Sequence, residues 1–362
     1  MSKVKSILII CPYPVGCAAS QRLKYEQYFS HWKEAGFQLE ISSFFDKDSW
    51  KVLYANKNLT VKILGTLKGY LKRIKDIHRA KDFEVVYVCM WVAPFLDWFF
   101  EWLLRRNSSR LVFDFDDSIH SEIDPFIDKF YKRLFKGRKK VRYLIKNSDH
   151  VITSSPFNLD FCQNLNLHNN SSYIPCTLDT ERFVPVNRKI PQEKITLGWT
   201  GTFTTKTYID SIKPTLIECC QENNLKLILI TNFEYVIEDI DLEVIPWKKE
   251  TEIFDLQKID IGIYPLIQTK WALGKGALKT LQYMSIGIPS ISTNFGTATK
   301  IINHGVDGFL ASNESDWKKY INMLANDEQL RKVIGNEARK KAVSSYSVAA
   351  NKEKYINILN GK

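Results

Sequence analysis

Short apolar runs recur along the chain, separated by stretches with helical spacing. Ser6–Cys11 (SILIIC) is continuously apolar, as in a central parallel strand. The loop PYPVGCAAS follows, then a predicted helix over Gln21–Ala35 closed by Gly36, then a strand at Leu39–Ser43. This is the opening of a doubly wound sheet. Tyr70–Lys81 reads as a basic helix, and Val85–Cys89, Leu111–Phe115 and His150–Ser154 as strands. A helix from Pro94 is apolar nearly all round, which predicts burial or an interface. In the second half, strands are predicted at Ile195–Trp199, Leu225–Ile230, Leu242–Pro246, Ile259–Tyr264 and Pro289–Thr293. Helices are predicted at Ala277–Ile286, Thr297–Asn303, Asp316–Ala325, Leu330–Ser344 (with Asp327 at its start) and Val348–Leu359. Strands that alternate with helices predict an α/β chain, and 362 residues are enough for two domains.

Val85–Leu104 has the length of a membrane span, but Asp97 and Glu101 lie inside it. Acids near the centre of a span cost about 2.5–3.5 kcal/mol each. The segment is therefore expected to be a buried strand, a turn and a helix. Ile7–Cys11 is too short for a secretory leader. The seven cysteines are scattered without a C-x-x-C, as expected of reduced thiols in a cytosolic protein.

The net charge of +11 is uneven: residues 1–180 hold 27 Lys and Arg against 19 Asp and Glu. Such an excess suggests an anionic partner for the first half. Lys129–Lys146 carries nine cations and no acid among aromatic and aliphatic residues. It reads as a solvated face or as an interfacial membrane contact through Lys129, Arg133, Arg138, Lys139, Lys140 and Arg142. Nucleic acid is the weaker partner, because no recognition module accompanies the charge.

Ligands of open α/β sheets sit at the carboxyl ends of strands. That rule marks Gly16, Ser20 and Arg22 after the first strand, and Asp114, Asp116, Asp117 and His120 at the end of Leu111–Phe115. Helix capping by Asp117 or Ser118 is the plainer reading of the acids. Tyr264–Leu310 runs strand, Gly-rich loop, helix, strand, and places Gly274, Lys275, Gly276 and Lys279 around a helix start. Backbone N–H groups, a positive helix end and two lysines suit a phosphate there.

The same stretch resembles the donor-binding segment of the family-4 glycosyltransferases, which have the GT-B fold. Lys279, Gln282, Tyr283, Met284, Gly287, Pro289, Gly296, Ile302, Gly305, Asp307, Gly308, Phe309 and Leu310 match its pattern. Ile174, Pro175, Leu178, Asp179, Phe183 and Pro185 match the interdomain segment, with Cys176 and Thr177 where the family has Asn-Gly. Two family glutamates are replaced by Gly274 and Gln282.

The resemblance implies two Rossmann-like domains facing each other across a cleft: an acceptor domain over 1–185 and a nucleotide-sugar domain over 186–345. A C-terminal helix, 346–362, returns to the first. The hinge falls near Pro185–Glu193. The implied activity is retaining transfer of a sugar from a nucleotide sugar to a glycan or lipid-linked acceptor, with no metal and no cofactor beyond the donor. Donor contacts are expected at Gly16, Thr200, Gly201, Thr202, Lys206, Trp247, Gly274, Lys275, Gly276, Lys279 and Gln282. Acceptor contacts are expected at Ser20, Arg22 and His120, and the catalytic carboxylates are Asp116 and Asp117. A nucleotide-sugar 2-epimerase and a non-catalytic scaffold are the alternatives. The expected location is cytoplasmic, peripheral at the inner membrane face.

Overall fold

The computed structural model describes residues 5–53, 58–120, 137–186 and 193–362. The chain divides into two compact units, Met1–Pro175 with Asn351–Lys362, and Cys176–Ala350. The first break lies ahead of the expected 185. Residues after it are fastened to the Glu328–Tyr346 helix: Leu178 N–H donates to Tyr346 O at 3.0 Å, and Val348 N–H to Leu178 O at 3.0 Å. The Arg339 guanidinium donates to the carbonyls of Thr180 (2.8 Å) and Phe183 (2.6 Å).

The first unit carries a parallel sheet in the order β2-β1-β3-β4-β5-β6. Its strands are β1 (Lys5–Cys11), β2 (Phe37–Ser43), β3 (Val85–Cys89), β4 (Leu111–Phe115), β5 (His150–Thr153) and β6 (Ser171–Tyr173). The apolar runs of β1, β3 and β4 are buried on both faces, which is why they read as continuous rather than alternating. The last helix, Val348–Asn360, contributes its second part to this unit. There Tyr355 packs on Tyr28 at 4.5 Å and donates to Asp114 at 3.3 Å.

The second unit has a parallel sheet in the order β12-β11-β10-β7-β8-β9. Its strands are β7 (Thr196–Thr200), β8 (Lys226–Thr231), β9 (Asp241–Pro246), β10 (Ile261–Tyr264), β11 (Ser290–Thr293) and β12 (Phe309–Ala311). Every strand pair in both sheets is parallel. Strand order reverses between β1 and β3 in the first unit and between β7 and β10 in the second, and ligands of such sheets bind at that reversal.

Two helices differ from the sequence expectation. Gln21–Ala35 is not one helix but three short pieces, Ala19–Arg22, Glu26–Tyr28 and Phe29–Glu34. The Gln27 amide donates to the carbonyls of Leu23 and Lys24, which a continuous helix would keep for its own N–H groups. The helix expected from Pro94 begins only at Phe99, because Leu96 and Asp97 take left-handed backbone (φ +63° and +46°). The carbonyls of Pro94 and Phe95 instead accept from Lys140. Val85–Leu104 is thus strand, turn and helix, and no described helix is long and apolar enough to cross a membrane.

Candidate functional site

In the second unit the residues after β7 and β10 meet at the strand reversal. Thr200 ends β7, and its N–H donates to the Tyr283 hydroxyl at 3.3 Å. Tyr283 lies on the Leu278–Ser285 helix and donates in turn to Gly198 O at 3.3 Å. This buried tyrosine ties the helix to the end of β7. Gly201 must lack a side chain, since a Cβ there would sit 2.0 Å from the Trp199 ring. Thr202 caps the turn that follows, and its N–H and hydroxyl are both engaged within that turn.

Lys279, on the first turn of the Leu278–Ser285 helix, is partly buried. Its ammonium lies 4.5 Å from the centre of the Trp199 ring and 5.9 Å from that of Tyr264. Among the described residues it has no carboxylate and no hydrogen-bond acceptor. Burial first, then neighbouring Lys275, bring it down to about 7. Lys275 itself lies over the Tyr208 ring at 5.7 Å. Gly274 ends the short helix Lys270–Leu273 with ordinary backbone (φ −80°), so no left-handed turn demands glycine there. The left-handed residue is Ala277 (φ +53°), immediately before the helix, a conformation that costs about 1–3 kcal/mol and is concentrated at ligand sites. Gly276 completes this loop.

Gln282 is buried, and its amide donates to Glu252 at 3.4 Å. Glu252, buried and thirty positions upstream, gives the loop a carboxylate that no linear motif announces. Lys206 departs from its expected role as an available phosphate cation. It pairs with Asp210 at 2.8 Å and covers the Tyr235 ring at 4.9 Å. The pair is more than a third exposed on both sides, so it is weak, and an anion could draw Lys206 away. Trp247 follows the edge strand β9, two strands from β7. Its N–H donates to Thr231 O at 2.8 Å, and its side chain is half-buried.

In the first unit Gly16 takes left-handed backbone (φ +77°) and its N–H donates to Glu26 at 2.8 Å. Gln21 clamps the same loop by exchanging hydrogen bonds with the Tyr13 backbone at 2.9 and 3.0 Å. Ser20 is half-exposed and Arg22 buried. Lys24, which the sequence did not single out, is the anchor of the β4 end. Its ammonium sits 2.7 Å from Asp114 and donates to Phe115 O at 2.6 Å. Asp114 also accepts from Tyr87 and Tyr355, so it is a core carboxylate. Asp116 and Asp117 remain half-buried beyond it, with Asp117 in left-handed backbone (φ +51°). Burial and then the adjacent Asp117 push Asp116 up to about 6. His120 is buried and stacked on Phe161 at 4.0 Å. Burial and then Arg142 press it down to about 4, so it is neutral at pH 7.

The basic stretch reads differently from its sequence. Its described helix is Arg138–Asn147. Lys140 is not a surface cation: it is fully buried and donates to the carbonyls of Ala93, Pro94 and Phe95. Lys139 pairs with Asp97 at 3.1 Å, and Arg142 lies over Phe161 at 5.2 Å. Lys129, Lys132, Arg133 and Lys136 lie outside the described residues.

Residues 241–341 match the family described as "Glycosyl transferases group 1". No curated protein matches the chain. Solved structures do. Sucrose-phosphate synthase from Thermosynechococcus elongatus aligns over 99% of this chain and 98% of its own, with 13% identity and a TM-score of 0.72. HepE from Anabaena, solved with UDP-glucose, aligns over 99% and 100%, with 14% identity and a TM-score of 0.69. A glycosyltransferase from Rickettsia africae aligns over 99% and 98%, with 15% identity and a TM-score of 0.64.

Proposed function

We propose that this chain, which has the GT-B fold and whose residues 241–341 belong to the group 1 glycosyl transferases, moves a sugar from a nucleotide sugar to an acceptor hydroxyl. The acceptor is a glycan or lipid-linked glycan, the anomeric configuration is retained, and no divalent metal takes part. The observation that carries this reading is Lys279, a partly buried ammonium with no anionic partner among the described residues, at the strand reversal of the second sheet. HepE holds UDP and UDP-glucose in its own structures, which supports a nucleotide-sugar donor here.

In the reaction the bond from the sugar C1 to the donor phosphate oxygen breaks and its electron pair leaves with the diphosphate. The acceptor oxygen bonds to C1, and its proton passes to a diphosphate oxygen. Negative charge builds on the diphosphate as the bond opens, so preorganised cations there lower the barrier. Lys279 and Lys275 supply that charge, with the start of the Leu278–Ser285 helix beside them. Gln282 and Glu252 are the polar groups for ribose hydroxyls. In the first unit Asp116 and Asp117 orient the acceptor. Positioning of this kind accounts for much of the rate enhancement in transfer reactions. Peripheral attachment to an anionic membrane, at the cytoplasmic face, fits a lipid-linked acceptor.

The test is turnover of a panel of nucleotide sugars with and without membrane glycolipid or oligosaccharide acceptors, in buffer containing a chelator. Transfer to acceptor with retained configuration, undiminished by the chelator, is expected. Conversion of the nucleotide sugar without acceptor would indicate the epimerase instead. Absence of any nucleotide binding would leave a scaffold. Cation-reversible loss of activity on chelation would overturn the metal-independent part.

A further inference from the structure

The longest helix of the first unit, Leu59–Arg79, is turned inside out relative to an ordinary surface helix. Its inward face is partly polar: Gly65, Gly69, Arg73 and Asp76 are buried with Ile77. Gly69 lets the Phe44 ring lie against the helix backbone, since a Cβ there would meet that ring at 2.6 Å. Arg73 is wholly buried, donates to Cys11 O and Val92 O, and pairs with Asp76 at 2.9 Å. The outward face is apolar. Ile63, Leu64, Leu67, Leu71 and Ile74 are 51–69% exposed, and Leu59 at the helix start is 70% exposed. Spacings of three, four and seven place these side chains in one stripe.

A contiguous exposed apolar stripe of this kind marks an interaction site, unlike apolar side chains scattered singly over a surface. What covers it is indicated by the charges along it. Lys68 and Lys75 border the stripe on one side, exposed and in no ion pair among the described residues, although their charges reach Asp46 and Glu40. Lys72 runs between them and donates to Ser43 O at 3.0 Å. The only acid on the helix, Asp76, is buried under Arg73. A protein partner with this complementarity would need an acidic rim. An anionic lipid surface offers both the apolar depth and the negative headgroups at once. A helix of this pattern lies in the plane of the interface with its apolar side chains about 5–10 Å deep.

We infer that the Leu59–Arg79 helix is the surface by which the first unit docks on an anionic bilayer, through Ile63, Leu64, Leu67, Leu71 and Ile74 with Lys68 and Lys75. This rests on the peripheral-membrane part of the reading above, but assigns the contact to an insertion helix rather than to the Arg138–Asn147 helix, whose Lys140 is buried.

The experiment is sedimentation of the full chain with phosphatidylglycerol-containing and pure phosphatidylcholine vesicles. Three variants accompany it: Leu67→Glu with Leu71→Glu, Lys68→Ser with Lys75→Ser, and Arg138→Ser with Lys139→Ser and Arg142→Ser. All the substituted positions are exposed, and melting curves with nucleotide-sugar turnover confirm that each variant folds. Wild type should bind the anionic vesicles in preference. The leucine variant should lose that binding about tenfold or more and the lysine variant by a smaller factor. Release only by the Arg138 variant would overturn the inference and leave membrane attachment standing. Equal recovery of wild type with both vesicles would overturn both, while turnover would remain unaffected. A self-association that Leu67→Glu with Leu71→Glu abolishes, without vesicle binding, would assign the stripe to a second copy of this chain.

Discussion

Lys279 is the residue on which the proposed donor site depends, and its surroundings fix how that site should respond to pH. Its ammonium is brought down to about 7 by burial and then by Lys275. A diphosphate favours the charged form, so binding takes up a proton wherever free Lys279 is neutral. Affinity for a nucleoside diphosphate should therefore fall as pH rises above 7, by up to about tenfold per unit. Titrations on either side of pH 7 check this, and Lys279→Arg, which stays charged, should flatten the fall. The same group acts oppositely on the stability of the ligand-free protein. Its folded value lies below the unfolded one, so the unfolded chain binds more protons between about pH 7 and the ordinary lysine range of ~10.4. Stability should rise with pH through that window, and Lys279→Met should remove that part of the slope in melting curves. Lys275 and Lys279 were legible in the sequence as cations before a helix. The ring beneath Lys279 was not, because Trp199 is eighty positions away. Lys206 illustrates a different gap: Asp210 lies one helical turn on, a spacing that makes an ion pair readable, yet the motif drew attention to the lysine alone. Burial of Lys140 could not be read at all. It follows from three carbonyls left open by the loop after β3.

Elements carry the geometry that holds these residues. The Leu278–Ser285 helix is pressed onto the Glu328–Tyr346 helix at a point where Gly335 faces Gly287. A Cβ at Gly335 would meet the Gly287 carbonyl oxygen at 2.2 Å. Backbone cannot swing aside as a side chain does, so Gly335→Ala must separate the two helices. Overpacking of this order costs about 1–3 kcal/mol. For a unit of this size the melting temperature should drop by roughly 2–4 °C per kcal/mol, which calorimetry on the purified variant would record. A transition unchanged from wild type would show that the helices have slack. The end of the site helix was readable, because Gly287 in left-handed backbone (φ +71°) and Pro289 both stop it. The start was placed one residue early, since nothing in the sequence signals that Ala277 would be left-handed. Periodicity also failed at Gln21–Ala35, where side-chain amides take over backbone carbonyls. It also understated Leu59–Arg79, whose apolar side faces outward.

At the scale of the whole molecule, apolar runs alternating with helical spacing made the α/β fold class legible, though not the strand orders or the short edge strands β6 and β12. The unit boundary was less so. The matching interdomain motif continues to Pro185, whereas hydrogen bonds to the Glu328–Tyr346 helix place residues from Cys176 onward in the second unit. That division has a consequence for ligand binding. A nucleoside diphosphate should slow hydrogen exchange at 264–285, within the second unit, while β1 to β6 of the first unit keep their ligand-free rates. The proposed donor site is most directly tested by calorimetric titration of wild type and Lys279→Ala with a nucleoside diphosphate and the matching nucleoside. Removing one charge-assisted contact costs roughly 1.5–3 kcal/mol, about ten- to a hundredfold in affinity. The expected result is tight diphosphate binding that Lys279→Ala weakens by that factor, with nucleoside binding almost unchanged. Equal losses for nucleoside and diphosphate, or diphosphate binding that ignores Lys279→Ala, would contradict the assignment.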